Sequence, residues 1–393
     1  MFSNGYQIND YIFSIDEGTI VMNYGSKFSE KFITNNSLRE YLQKIKTEID
    51  VYYDKWDIYK KITNKYEYIN TLYFNEKKNI NTCVCSYKPI SRSYFKMVEI
   101  LNNFDFNFDK NKIKSFHLAE GPGGFIECLY KHRNNKNDIY VGMTLIENNN
   151  DVPKWSKITN FLKNKKNILL EYGPQKDGNL YHKYNLEHIK NYHSNQYDFI
   201  TADGGFDYSI DFNKQEQHSI NLVFCEMLYA LILQKKGGSF VLKVFDCFHQ
   251  NTIEILYILS YFYEKVNIYK PNTSREANSE KYVICTNFQV KTNYNDIISK
   301  LCDSFHDLSQ QKLQNIFNFE INTMFLSKIQ EVNAIYGQQQ IENILTTINY
   351  IKENQHNNKD KIERIKLSNI EKCIRWCTLH KQPVSSAFTT LMI

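Results

Sequence analysis

No run of apolar residues in this chain approaches the ~18 that a membrane-spanning helix needs, which argues against a membrane partner. The opening Met1-Phe2-Ser3-Asn4-Gly5-Tyr6 lacks the basic start and apolar centre of a secretory leader, so a cytoplasmic location is expected. The nine cysteines are odd in number and follow no regular spacing. That argues against a disulfide framework and for reduced thiols. Charge of one sign is scarce as well. A formal net charge of +5 permits a nucleic-acid ligand through a local patch but does not demand one. No internal repeat is present. Glycine numbers 14 against 29 tyrosines and 26 phenylalanines, and Asn, Lys and Ile are abundant; this bias reads as AT-rich coding and not as function. A hydrophobic share of 42% is ordinary for a soluble chain. The length accommodates one α/β domain of ~200 residues with extensions.

What is present centres on Ser115-Phe116-His117-Leu118-Ala119-Glu120-Gly121-Pro122-Gly123-Gly124-Phe125-Ile126. It reads as a buried strand, a glycine turn and the first turn of a helix, the nucleotide cradle of doubly wound α/β domains. The Lys-Ser/Thr end of a P-loop is missing, and the pattern is not GxGxxG. Glu120 beside the turn disfavours a polyphosphate and suits a neutral or cationic nucleoside.

Further strands are expected at Ile139 to Leu145, Asn167 to Glu171, Tyr197 to Ala202, Ser239 to Val244, Val266 to Tyr269 and Tyr282 to Thr286. Helices are expected at Leu38 to Lys61, Ser91 to Ile100, Ser219 to Gln234 (closed by Gly237-Gly238) and Thr252 to Tyr263. The alternation over residues 115 to 290 predicts a largely parallel sheet with helices on both faces. Ligands of such sheets sit beyond the carboxyl ends of the strands. Gly121, Asp177 to Leu180, Asp203 and the segment after Lys243 all fall there. The expected division is an N-terminal extension (1–85), the α/β domain (86–290) and a helical C-terminal region (291–393). The run Asn64 to Asn70 offers rings that could stack on bases or pack the extension. Cys373, Cys377 and His380 read as a half-buried helix face, with no metal site expected.

Taken in order, Ser91 to Ile100, Ala119 to Glu127, Gly142 to Leu145, Asp177 to Leu180, Ala202 to Phe206, Lys243 to Phe248 and Ser274 to Cys285 resemble the FtsJ-like (RrmJ-fold) RNA ribose 2′-O-methyltransferases, specifically the cap-specific mRNA branch of eukaryotes and large DNA viruses. The resemblance implies a Rossmann-like methyltransferase fold and S-adenosylmethionine as methyl donor. It places the family's Lys-Asp-Lys-Glu tetrad on Lys96, Asp203, Lys243 and Glu280. It places the donor loop on Ala119, Glu120, Gly121, Pro122, Gly123, Gly124 and Phe125, with Thr144 beside it and the adenine-side pair on Asn179 and Leu180. Gly121 stands where the family usually has Ala, Asn179 where an acid is common, and Glu276 where Pro is usual.

Under that resemblance Lys243 is the general base on a ribose 2′-hydroxyl, its pKa lowered by Lys96 and burial. Asp203 orients Lys243 and faces the methyl-sulfonium; Glu280 holds Lys96 or Lys243. Arg92, Asn213, Arg275 and Asn278 are the expected RNA contacts, joined by Lys270 and Lys281. The acceptor implied is capped mRNA at its first transcribed nucleotide. Ribosomal RNA and an idle RNA-binding scaffold are the alternatives. The C-terminal helices are left as a surface for a capping or transcription partner.

Overall fold

The computed structural model describes residues 5–10, 14–75, 79–146, 155, 159–162, 165–205, 212–353 and 359–391. Phe206, the last residue of one expected motif, and residues 354–358 of the expected helical C-terminal region lie outside the described residues.

The chain divides into two compact units, each assembled from distant segments. The first comprises Met1–Asn36, Asn103–Lys270 and Glu280–Asn333; the second comprises Ser37–Asn102, Pro271–Ser279 and Ala334–Ile393. The units therefore do not follow the sequential division expected above. Most of the N-terminal extension and most of the C-terminal region fold as one body, and both contribute segments to the other.

The first unit is built on an eight-stranded sheet. Its order is Tyr6–Gln7, Tyr263–Tyr269, Lys281–Phe288, Gln234–Val244, Tyr197–Ala202, Lys114–Leu118, Ile139–Met143, Ile168–Glu171. The last five run parallel; the first three pair antiparallel. Parallel strands are covered on both faces, and Tyr197–Ala202 is buried at every residue. The expected α/β class holds. The helix Gln215–Leu233 is buried nearly all round, as its Val-Phe-Cys-Glu-Met-Leu-Tyr-Ala-Leu run demands.

Gly237-Gly238 does not close that helix. The strand begins at Gln234 and runs through both glycines. Gly237 has φ +77°, and a Cβ on Gly238 would lie 2.2 Å from Gln234 Nε2 and 2.8 Å from the Asp198 carbonyl oxygen. The register against Tyr197–Ala202 shifts at this point, so the pair makes a bulge in which Gly237 takes a left-handed backbone angle and Gly238 has no room for a side chain. A strand Lys312–Phe317, in the region expected to be helical, pairs antiparallel with Ile20–Gly25. Its ladder is irregular around Asn315, which breaks the alternation that would have revealed it.

The second unit is mainly helical. The expected helix 38–61 is two helices, Asn36–Thr47 and Tyr53–Thr63, joined by a 3-10 turn Glu48–Tyr52. Helix Lys359–Leu379 buries Trp376, whose ring meets Phe95 edge-on at 5.8 Å. Tyr68 and Ile69 are buried, so the Asn64 to Asn70 run packs inside this unit. Cys373 Sγ lies 3.6 Å from the Lys65 carbonyl and His380 Nδ1 lies 2.9 Å from Asn102 Nδ2. That helix face is packing surface.

Candidate active site

Four parallel strands end on polar loops at one edge of the sheet. Leu118 leads to the glycine turn, Met143 to Thr144, Glu171 to the Asp177 loop, and Ala202 to Asp203-Gly204-Gly205. Lys281–Phe288 runs antiparallel to Gln234–Val244 with Lys281 opposite Val244 and Tyr282 opposite Lys243. That reversal delivers Glu280, the residue before the strand, to the same edge. Strand order explains how residues 77 positions apart in sequence (203 and 280) share one corner.

Lys243 is the centre of the cluster. Its ammonium donates to the Asp203 carbonyl oxygen at 2.7 Å and lies 3.4 Å from the Asp203 carboxylate. Tyr282 Oη donates to the same carboxylate at 2.8 Å and lies 3.5 Å from Glu280 Oε1. Glu226, from the middle of helix Gln215–Leu233, accepts the Gly204 backbone N–H at 3.1 Å. A Cβ on Gly204 would lie 2.2 Å from that carboxyl oxygen, and one on Gly205 would lie 2.9 Å from Lys243 Nζ. The two glycines let a buried acid and a buried base approach the backbone. Tyr282 and Glu226 were missed in the sequence, although a single Glu inside an apolar helical run was a visible signal for the second.

The electrostatics differ from the expectation. Burial pushes the Lys243 ammonium toward losing its proton, but Asp203, Glu280 and Glu226 outweigh it, and its pKa stands above the ordinary lysine value. The expected lowering is thus corrected. The carboxylates that face this amine exceed what its desolvation removes. The same burial raises the Glu226 carboxyl to about 8 and holds Glu120 well above its usual range, with Asp203 adding to the second.

The glycine turn is shaped by its own sequence. Ala119 and Gly123 have positive φ, +48° and +108°, and the Gly121-Pro122 bond is cis. Gly121 N–H donates to Thr144 Oγ1 at 3.2 Å, which ties the turn to the neighbouring strand end. Glu120 Oε1 accepts the N–H groups of Phe125 at 2.6 Å and Ile126 at 3.3 Å. It caps helix Gly124–Arg133 and occupies the donors that a phosphate would use. Its Oε2, like Oε2 of Glu226, is buried with no hydrogen-bond partner. A corner with more carboxyl groups than cations and a capped helix start suits a cationic nucleoside such as S-adenosylmethionine and opposes a polyphosphate.

The loop after Glu171 is held by Asp177, which accepts the Asn179 N–H at 3.0 Å and Asn185 Nδ2 at 2.7 Å. The Asn179 side chain accepts the Tyr181 N–H at 3.0 Å, and Leu180 is buried. Gly178 has φ +60°, and a Cβ there would lie 1.9 Å from the Thr144 carbonyl oxygen. This loop and the Thr144 strand end are therefore in backbone contact. Asn213 lies on a 3-10 turn, Phe212–Lys214. Lys281 is buried 3.7 Å from Asp246, and Lys270 donates to the Glu280 carbonyl at 3.0 Å. Neither is the open groove cation expected.

Lys96, Arg92, Arg275 and Asn278 belong to the second unit. Lys96 is buried on helix Ser93–Asn103. Arg275 is corrected: it grips the buried Glu67 with two bonds, Nε to Oε2 at 3.0 Å and Nη2 to Oε1 at 2.8 Å. Arg92 donates to the Thr273 carbonyl at 3.2 Å and lies 3.9 Å from the same Glu67. Glu99 is fully buried and accepts the N–H groups of Asn272 at 2.8 Å and Thr273 at 2.7 Å. Asn278 N–H donates to the Arg275 carbonyl at 3.1 Å. Buried carboxylates thus organise the 271–279 segment, and its arginine is a structural cation.

Comparison with known proteins shows the family of the chain. The FtsJ-like methyltransferase family model matches residues 89–288. The chain is 28% identical over 337 residues to the cap-specific mRNA (nucleoside-2′-O-)-methyltransferase 2 of Pongo abelii, covering 81% of this chain and 41% of that protein. It is 34% identical over 199 residues to the cap-specific mRNA (nucleoside-2′-O-)-methyltransferase of Autographa californica nuclear polyhedrosis virus, covering 51% of this chain and 73% of that one. The chain spans less than half the length of the animal relatives it matches, 41% in Pongo abelii and 36% in Danio rerio. The family match contains the glycine turn, Asp203, Lys243, Tyr282 and Glu280, and on that evidence the chain belongs to the FtsJ-like methyltransferase family.

Proposed function

We propose that the chain transfers a methyl group from S-adenosylmethionine to the ribose 2′-oxygen of the first transcribed nucleotide of capped mRNA. The observation that carries this reading is the Lys243 amine, held by the Asp203 carbonyl and ringed by carboxylates at the strand ends beside the glycine turn. The bound donor supplies an electrophilic methyl on a sulfonium. Asp203 and the turn Ala119–Phe125 would hold it, with Thr144, Asn179 and Leu180 on its nucleoside side. Lys243 would accept the 2′-hydroxyl proton, and Glu280, through Tyr282, would fix its position. Lys96 completes the tetrad that family resemblance assigns. Asn213, Asn278 and Arg92 remain the candidates toward RNA. In-line placement supplies much of the remaining acceleration.

Lys243 must be neutral to act as a base, yet three carboxylates raise its pKa. It gives up its proton more readily once Asp203 shares its charge with a second cation. The rate is therefore expected to rise with pH between about 7 and 9. Glu280→Gln removes one carboxylate and should move that rising limb to lower pH. A pH-independent rate over the same interval, with chemistry rate-limiting, would exclude Lys243 as the base.

Gly123→Val is expected to weaken donor binding by an order of magnitude or more. A branched residue at φ +108° is strained by roughly 1–2 kcal/mol and crowds the backbone the donor must approach. Calorimetry on the folded variant checks it, and unchanged affinity would contradict the cradle.

The function itself is tested by incubating the protein with labelled S-adenosylmethionine and short RNA that is uncapped, guanosine-capped or N7-methylguanosine-capped. Label on the 2′-oxygen of the nucleotide beside the cap is the expected result. Transfer that ignores the cap favours the ribosomal-type alternative, and no transfer to any RNA favours the scaffold.

A further inference from the structure

At the end of the outermost parallel strand, apart from the Lys243 cluster, Glu171, His188 and His193 bring one carboxylate and two imidazoles together. One ligand atom of each lies within 4.8 Å of the others. His193 Nε2 is 3.2 Å from Glu171 Oε2, and His188 Nε2 is 3.5 Å from Glu171 Oε1. Zinc binds nitrogen and oxygen at about 2.0–2.2 Å, so neighbouring ligands of a tetrahedral site stand about 3.3–3.5 Å apart. The two imidazole–carboxylate spacings, one to each oxygen of Glu171, lie close to that edge, and the remaining spacing is within 4.8 Å.

Two of the three ligands are also oriented from behind. His193 Nδ1 lies 2.6 Å from Tyr197 Oη; with the proton on Nδ1, Nε2 is left as a free lone pair for a metal. Glu171 Oε1 accepts the backbone N–H groups of Tyr172 at 3.0 Å and Gly173 at 2.7 Å, which fixes the carboxylate plane. The three side chains are 19–25% exposed, so an ion can reach them from solvent. Glu171 and His193 line a cavity of about 370 Å³ together with Lys114, Gln196 and Tyr197.

We propose that Glu171, His188 and His193 form a divalent metal site of the zinc class, with the fourth position open to water or a small anion drawn toward Lys114. Two imidazoles and one carboxylate favour zinc and its transition-metal neighbours over Mg²⁺ and Ca²⁺, which take oxygen ligands. The ion would tie the end of edge strand Ile168–Glu171 to helix Lys183–His193, at the root of the Asp177 loop. The sequence concealed the site because the two histidines are five residues apart, not the four of a helical metal pair, and the carboxylate comes from a strand.

The test uses the full chain stripped of metal with a chelator and titrated calorimetrically with Zn²⁺. One equivalent should bind, and Mg²⁺ at a hundredfold excess should neither bind nor compete. His188→Ala, His193→Gln and Glu171→Gln should each weaken Zn²⁺ at least tenfold, and saturating Zn²⁺ should raise the thermal midpoint of the wild type but not of His188→Ala. His193 packs against Phe116 and Tyr197; if His193→Gln fails to fold, the more exposed His188→Ala decides. Co²⁺ should give a ligand-field spectrum without thiolate charge-transfer bands. Unaltered Zn²⁺ affinity in His188→Ala, or cobalt bound through cysteine sulfur, would overturn the site. So would the absence of Zn²⁺ binding by the wild type, which would leave Glu171 as a carboxylate clamp for two imidazoles and nothing more.

Discussion

Replacing Lys243 with Ala is expected to lower the single-turnover rate of methyl transfer by about 10²–10⁴, the usual cost of removing a positioned base. Donor affinity should not fall. The substitution deletes a cation that Asp203, Glu280 and Glu226 face, so the attraction for a sulfonium is preserved or increased. Stability should drop measurably, because the carboxylates lose their partner; Glu226, whose pKa is already about 8, can absorb part of that loss by keeping its proton. Lys243→Met separates packing from charge, since it keeps most of the side chain's volume. Rapid-quench measurements with calorimetry on both variants decide the matter. A variant that retains more than half the wild-type rate would remove Lys243 from the mechanism.

The second large effect lies in the other unit. Arg275→Ala is expected to destabilise the protein by about 3–5 kcal/mol, because it leaves a buried carboxylate without its cation. Glu67 has no exposed side-chain surface and is gripped by both ends of the guanidinium fork. It also accepts Asn64 Nδ2 at 2.7 Å and Thr71 Oγ1 at 2.9 Å. Burial pushes its pKa up, but the Arg275 bonds and the Arg92 charge prevail and hold it at about 2. A depressed carboxyl contributes stability above its unfolded pKa of about 4.5 and loses it as pH falls toward 2. A shift of that size corresponds to something on the order of 3 kcal/mol. Urea denaturation at pH 7 and at about pH 3 should show the wild type losing roughly two thirds of this increment and Glu67→Gln losing much less. The salt slope of RNA binding should be the same in Arg275→Ala as in wild type. A reduced slope with unchanged stability would restore Arg275 to the RNA interface and refute the structural pairing.

Much of the candidate corner was legible in the chain because it is written in local rules. Short buried strands ending on Gly121, Asp203 and the residues after Lys243 follow from apolar runs broken by turn formers. Parallel-sheet geometry then sends those ends to one edge. Tyr197–Ala202 was delimited to the residue, since six consecutive buried positions leave no other period to choose. The disfavoured polyphosphate was legible too, although the reason is more specific than charge. Glu120 occupies the helix N–H groups that a phosphate needs.

What only the tertiary structure decided are the relations between distant segments. Antiparallel pairing of Lys281–Phe288 sets Tyr282 beside Asp203 and adds Glu280 to Asp203 and Glu226 around one amine, and together they reverse the sign of the Lys243 shift. Local sequence cannot show that sign, because it depends on how many acids from other elements converge within a few ångströms. Arg275 looked like a ligand-binding cation for the same reason: its partner, Glu67, lies 208 positions away. The His188, His193 and Glu171 triad is hidden alike, with a helix and a strand end supplying ligands at spacings no motif describes. Strands and turns are dictated by neighbours in sequence. Protonation, ion pairing and metal ligation are dictated by neighbours in space, and in this chain most of those come from another segment.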